Sequence, residues 1–291
     1  MNAILAKGQL WSMNSRYAVV TCFQQGEQLI VQKIIAPNTV TKLNAKWVND
    51  VSAYFRNELR ALKVPLAEPY LLSEEEGKAI QTSPYAGPDL EKFFQSHSVI
   101  VNINLLEKLF KAIQGVLTQK IPNVGIDARL SNFCLSEVDG SVCYVDTFPP
   151  LVKYENNYIV HFPNPTDPHI VEQEFKRKFE PLGILRRLRF SILEQDIGIS
   201  EKNIIDAIKN VMGEEFAGTV EDFFNTFLDK LEIDEAIDKL MIEDPDGIRE
   251  LALKCMPPKG DVRQKFLSEI FDLSSNFCPL PLNSEERLSR I

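Results

Sequence analysis

The stretch Asp127-Ala-Arg-Leu-Ser-Asn132, followed by Asp146, holds the residue types with the most chemistry to offer. A carboxylate can take the proton of an attacking hydroxyl. Two further oxygen-bearing side chains suit a hard cation such as Mg²⁺. Arg129, two residues after Asp127, adds a permanent positive charge. The plainer alternative is that Asp and Asn stand here as turn formers, since both favour loops. Asp139-Gly140 then separates the apolar runs FCLSEV and SVCYV, a strong hairpin signal. A strict two-residue turn pairs Phe133 with Asp146 and puts Asn132 on the other face. A three-residue turn puts Asn132 and Asp146 on one face, and the spacing leaves both open.

Lys33 and Glu58 form a second pair of interest. Along LIVQKII, strand alternation places Lys33 on the face of Leu29, Val31 and Ile35. Glu58 stands three residues after Phe55 and four before Leu62, within a helical apolar stripe. Opposite charges on two otherwise apolar faces predict a partly buried ion pair. The bland reading is a Lys reaching solvent at a sheet edge and a Glu at the stripe's margin.

These residues need elements to hold them. Residues 8–36 read as three antiparallel strands, KGQLWS, YAVVTCF and QLIVQKII, with turns at MNSR and QQGE. Residues 47–63 read as a helix ended by Pro65 and Pro69, with two strands near PYLL and KAIQT after it. Beyond Pro84 the pattern is helical, interrupted only at 121–150. Helices are expected near 88–96, 104–119, 168–195, 201–212, 219–231, 234–242, 246–255 and 261–272. The expectation is an α+β chain, a small antiparallel β-sheet lobe with one helix before a larger helical lobe.

Composition narrows the classes. The 291 residues are 44% hydrophobic and 25% charged, which excludes a collagenous or disordered chain. A net charge of −9 argues against a nucleic-acid binder, which needs a basic footprint. No run approaches the roughly 18 apolar residues of a membrane span, and no secretory leader is visible. Five cysteines without a CxxC fit reduced thiols, and His97, His161 and His169 are too scattered for zinc. These features together predict a soluble cytoplasmic protein. Residues 1–120 are net +3, while 196–250 are net −11. The acidic block suits a cationic acceptor if it faces a binding site, and is more commonly plain surface. The basic run Lys176–Lys178 with Arg186, Arg187 and Arg189 could meet an anionic substrate or be a solvated face, the commoner case.

The order of these features resembles the protein-kinase-like fold, and more narrowly the aminoglycoside phosphotransferase and choline kinase branch. The resemblance covers about residues 8–150 by motif and the rest only by class. It implies a nucleotide-binding lobe at 1–82, a linker at 83–90 and a helical lobe at 91–291. It implies that Asp127 orients or deprotonates a small-molecule hydroxyl, with Arg129 near the transferred phosphate, while Asn132 and Asp146 hold Mg²⁺. Lys33, braced by Glu58, would hold the phosphates of ATP or GTP. Ser12, Asn14 and Ser15 would cradle phosphates, and backbone groups near Ser83 and Tyr85 would meet the base. The implied partners are a nucleotide and a small acceptor, with neither nucleic acid nor membrane. The chain departs from the family at Gly125, where a His usually props the loop, and at Thr147-Phe148-Pro149-Pro150, where Phe-Gly or similar is usual. Those departures keep open a pseudokinase that binds nucleotide or a partner without turnover. No Ala-Pro-Glu motif closes an activation loop, which disfavours a conventional protein kinase.

Overall fold

The computed structural model describes residues 9–14, 18–35, 45–136, 139–161, 168–193, 195 and 197–225. The chain divides into two compact units, residues 1–212 and 213–291. The boundary thus falls inside the stretch that the sequence reads as one helical lobe. Among the described residues, the second unit contains one helix, Glu214–Phe224, with Ala217, Val220 and Phe224 buried. The helices expected beyond it lie outside the described residues.

The first unit opens with the expected meander: β1 (Gln9–Asn14), β2 (Ala18–Gln25) and β3 (Gln28–Ile35). Helix α1 (Ala45–Ala61) follows, then β4 (Leu71–Glu75) and β5 (Lys78–Pro84). All five strands form one antiparallel sheet in the order β1-β2-β3-β5-β4. Strand β3 is therefore central, and Lys33 pairs with Val20 on one side and Gln81 on the other. Val48, Val51, Phe55 and Leu59 form the buried stripe of α1, which packs on β4 and β5. Ala18, Ile35, Ala45, Val48 and Ala79 cluster at this junction with Phe148 from far along the chain.

The remaining elements of this unit are mainly helical. Asp89 caps α2 (Leu90–Ser96), its carboxylate accepting from the Lys92 N–H at 2.9 Å. The long α3 (Val99–Leu117) buries Leu105, Leu106, Leu109, Phe110, Ile113 and Val116, and packs on α6 (Glu201–Met212). Between α3 and α4 (Pro168–Phe179) run two hairpins, β6 (Phe133–Leu135) with β7 (Val142–Tyr144), then β8 (Val152–Tyr154) with β9 (Asn157–Ile159). The second hairpin corrects the expectation that the interruption ends at 150. Its turn places Glu155 and Asn156 at positive φ, the conformation a tight two-residue hairpin demands.

The single helix expected over 168–195 is two helices, α4 and α5 (Pro181–Leu193). Pro181 opens the second, where its missing N–H costs nothing. Gly183 then lets the helices touch, because a Cβ there would stand 2.0 Å from the Lys176 carbonyl oxygen. No described helix is long and apolar enough to cross a membrane.

Candidate functional site

The segment carrying Asp127 and Asn132 is fastened almost residue by residue. The Gln119 amide accepts from the Val124 N–H and donates to its carbonyl. Gly125 N–H donates to Leu151, and Ile126 N–H to the Lys178 carbonyl at the end of α4. Asp127 N–H donates to the Tyr144 hydroxyl, and Leu130 N–H to Ser191 Oγ on α5. A loop whose backbone donors are satisfied in this way is held by structure on three sides. Residues Leu130–Asn132 form one 3₁₀ turn leading directly into β6.

Gly125 has a steric explanation. A Cβ at this position would lie 2.6 Å from the Lys178 carbonyl oxygen and 2.9 Å from the Phe179 ring. The C-terminal end of α4 occupies the space that a larger side chain at 125 would need.

Two guanidinium groups flank Asp127. Arg129 Nε lies 3.6 Å from Oδ2, and Arg187 Nε on α5 lies 3.9 Å from Oδ1. Both contacts are electrostatic, being longer than hydrogen bonds. Oδ1 is buried and accepts no hydrogen bond, while the side chain as a whole is 26% exposed, so Oδ2 is the oxygen open to solvent. Arg187 is a residue that the sequence alone does not single out, because a basic stretch is most often a solvated face. Lys178, Arg187 and Arg189 are all buried. The signal was present: Ile184, Arg187, Leu188, Ser191 and Ile192 fall on one helical face.

Asn132 faces the same loop. Its amide donates to the Asp127 carbonyl at 2.9 Å, and its own carbonyl accepts from Val145 N–H. The hairpin register pairs Phe133 with Tyr144 and Cys134 with Cys143. It therefore follows neither turn that the spacing left open, because the loop is four residues long and sets Asn132 opposite Val145. Asp146 comes two residues after Tyr144. Its Oδ1 accepts from Lys33 Nζ at 3.0 Å.

That contact corrects the expected Lys33–Glu58 pair. Glu58 lies about 120° around α1 from Ser52, the position that faces the strand beside Lys33. Ser52 Oγ instead accepts from Gln81, Lys33's cross-strand neighbour, at 2.9 Å. From α1 it is Arg56 that reaches toward the hairpin. This buried guanidinium stacks 3.5 Å from the Tyr70 ring centroid and donates to Glu68. The Tyr70 hydroxyl accepts from Thr147, next to Asp146, at 3.5 Å. Burial pushes the Tyr70 phenol up to about 12. Burial, followed by the nearby Asp146 and Asp127 charges, also holds the Tyr144 phenol well above its ordinary range.

The other expected positions are less concentrated. Ser12 and Asn14 pair with Thr21 and Val19 in the β1–β2 ladder, while Ser15 lies outside the described residues. Ser83 pairs with Val31 inside β5, and the Tyr85 N–H donates to the Leu29 carbonyl, so that donor is already engaged. The acidic block beyond residue 225 lies outside the described residues.

Among the described residues no three His, Cys, Asp or Glu side chains converge as a metal site. Mg²⁺ is commonly held by one or two carboxylates together with substrate phosphates and water. Asn132 donates through its nitrogen, which leaves Oδ1 as its acceptor end, and Asp146 has a second oxygen beyond the one on Lys33. Each residue thus keeps one side-chain oxygen of the hard-donor type that Mg²⁺ takes. No protein-family model matches the chain, and no curated protein matches it.

Proposed function

We propose that this protein is an ATP- or GTP- and Mg²⁺-dependent phosphotransferase that acts on a hydroxyl of a small molecule. The observation that carries this reading is the meeting of Lys33, from the centre of the sheet, with Asp146, beyond the hairpin that begins at the Asp127–Asn132 loop. The strand order around α1 and the seating of Phe148 in the sheet–helix core also suit the kinase-like arrangement that the sequence resembles.

In this reading Asn132 and Asp146 would hold Mg²⁺, whose charge would offset that on the transferring phosphate. Lys33 would hold the nucleotide phosphates beside Asp146. Asp127 Oδ2, the solvent-facing oxygen, orients the acceptor hydroxyl and takes its proton. Arg129, half exposed beside that oxygen, stabilises charge on the phosphoryl group. Catalysis then rests on positioning and electrostatics rather than on a covalent intermediate.

A second reading, a pseudokinase, draws on the departures at Gly125 and Thr147-Phe148-Pro149-Pro150. Thermal melting with ATP or GTP, with and without Mg²⁺, tests the nucleotide site, and nucleotide consumption across a metabolite panel tests turnover. Metal-dependent stabilisation with turnover supports the phosphotransferase. Stabilisation without turnover supports the pseudokinase, and no stabilisation defeats both.

A further inference from the structure

The loop that carries Asp127 lacks a side chain at Gly125, and α4 fills the space where one would stand. Helix α5 approaches the loop at two points one turn apart. Ser191 Oγ accepts from the Leu130 N–H at 2.9 Å, and Arg187 Nε stands 3.9 Å from Asp127 Oδ1. Arg187 is 9% exposed, and Oδ1 is buried without a hydrogen-bond donor. A buried carboxylate oxygen is costly unless a positive charge compensates it. Arg129 serves the other oxygen, yet its side chain is 48% exposed and free to follow a substrate.

We infer that Arg187 is the positioning residue for Asp127: it holds the buried oxygen Oδ1 from behind, leaving Oδ2 turned to solvent. The support comes from a helix some 60 residues further along the chain. The catalytic meaning of this role rests on the phosphotransferase reading, whereas the electrostatic coupling does not.

The test has two arms in the full-length protein. The first is a melting cycle of wild type, Arg187→Gln, Asp127→Asn and the double variant. Arg187→Gln should lower the melting temperature, and the double variant should melt at or above that single variant, because neutralising Asp127 removes the charge left uncompensated. Arg187→Lys, which keeps the charge, should melt close to wild type. Additive losses would overturn the inference. The second arm measures turnover of Mg-ATP. Arg187→Gln should lower kcat about tenfold while KM for ATP changes less than about twofold, with Arg187→Lys recovering most of the loss. An unchanged kcat in Arg187→Gln would overturn the positioning role. A wild type without turnover would count against the phosphotransferase reading, while the melting cycle still decides whether Arg187 holds Asp127.

Discussion

Lys33 Nζ and Asp146 Oδ1 lie 3.0 Å apart although 113 positions separate them in sequence. The contact joins the central strand of the sheet to the segment that leaves β7. Two residues beyond Asp146, Phe148 is buried among Ala18, Ile35, Ala45, Val48 and Ala79. Burial of a phenyl side chain contributes on the order of 2 kcal/mol. The backbone at Asp146 is therefore held from both sides, by β7 before it and by this anchor after it, and Lys33 meets a carboxylate already in place.

The pair should be measurable without any ligand. Both side chains are partly buried, so Lys33→Met is expected to cost about 1–2 kcal/mol in urea unfolding, more than an exposed pair would. Asp146→Asn should cost a similar amount. The double variant should cost less than the two single losses added together, as contacting partners do. Strict additivity would mean that the contact contributes nothing to stability.

Gly125 offers a steric test. Gly125→Ala places a methyl group against the Lys178 carbonyl and the Phe179 ring, at separations real Cβ atoms do not adopt. The loop or α4 must move, and overpacking of this kind costs about 1–3 kcal/mol. Denaturant unfolding should show that loss. Since the displaced segment carries Asp127, turnover should fall by more than the stability change alone explains.

Acid should act through Glu174. Burial alone would raise this carboxyl, but Lys178 and Arg177 outweigh it and hold it below its ordinary 4.5. A depressed carboxylate contributes stability that is complete above its unfolded value and is lost as pH falls through the folded one. Lys178, buried and 2.6 Å from Glu174, depends on that charge. Glu174→Gln should therefore cost about 3 kcal/mol at pH 7, as expected when one partner of a buried pair is removed. The gap from wild type should narrow as the pH falls below 4.5, where the wild type loses the same interaction. Unfolding free energies measured from pH 7 down to pH 3 would check this, and a constant gap would rule it out.

Much of the fold was legible because local signals were strong. Alternating apolar residues between short polar turns marked β1 to β3, and the stripe of Val51, Phe55 and Leu59 marked α1. The placing of Lys33 on a strand and of Asp127, Asn132 and Asp146 around a hairpin was legible too. What the sequence hid were relationships set by packing. Glu58 satisfied the stripe pattern, but the rotation of α1 on the sheet presents Ser52 and Arg56 instead. The charge of Arg187 suggests a solvated face. Its spacing from Ile184, Leu188 and Ser191 assigns it to the buried face whatever its chemistry. The hairpin at 152–159 has strands of three residues each, too short for alternation to register.

Asp127 and Asn132 should separate binding from turnover. Asp127 makes no contact with Lys33 among those observed; its charge faces Arg129 and Arg187, and only Oδ2 is open to solvent. Asp127→Asn keeps the side chain's shape while removing its capacity to take a proton. Under the phosphotransferase reading kcat should fall at least 100-fold, the scale of a lost general base, while Mg-ATP still raises the melting temperature. Asn132→Ala removes a prospective metal ligand together with the bond to the Asp127 carbonyl. It should weaken the magnesium dependence of nucleotide binding as well as turnover. Melting curves with ATP alone and with Mg-ATP, read beside steady-state rates, distinguish the two variants. If Asp127→Asn retains wild-type turnover, the proton must leave by another route and Asp127 is only a structural member of the loop.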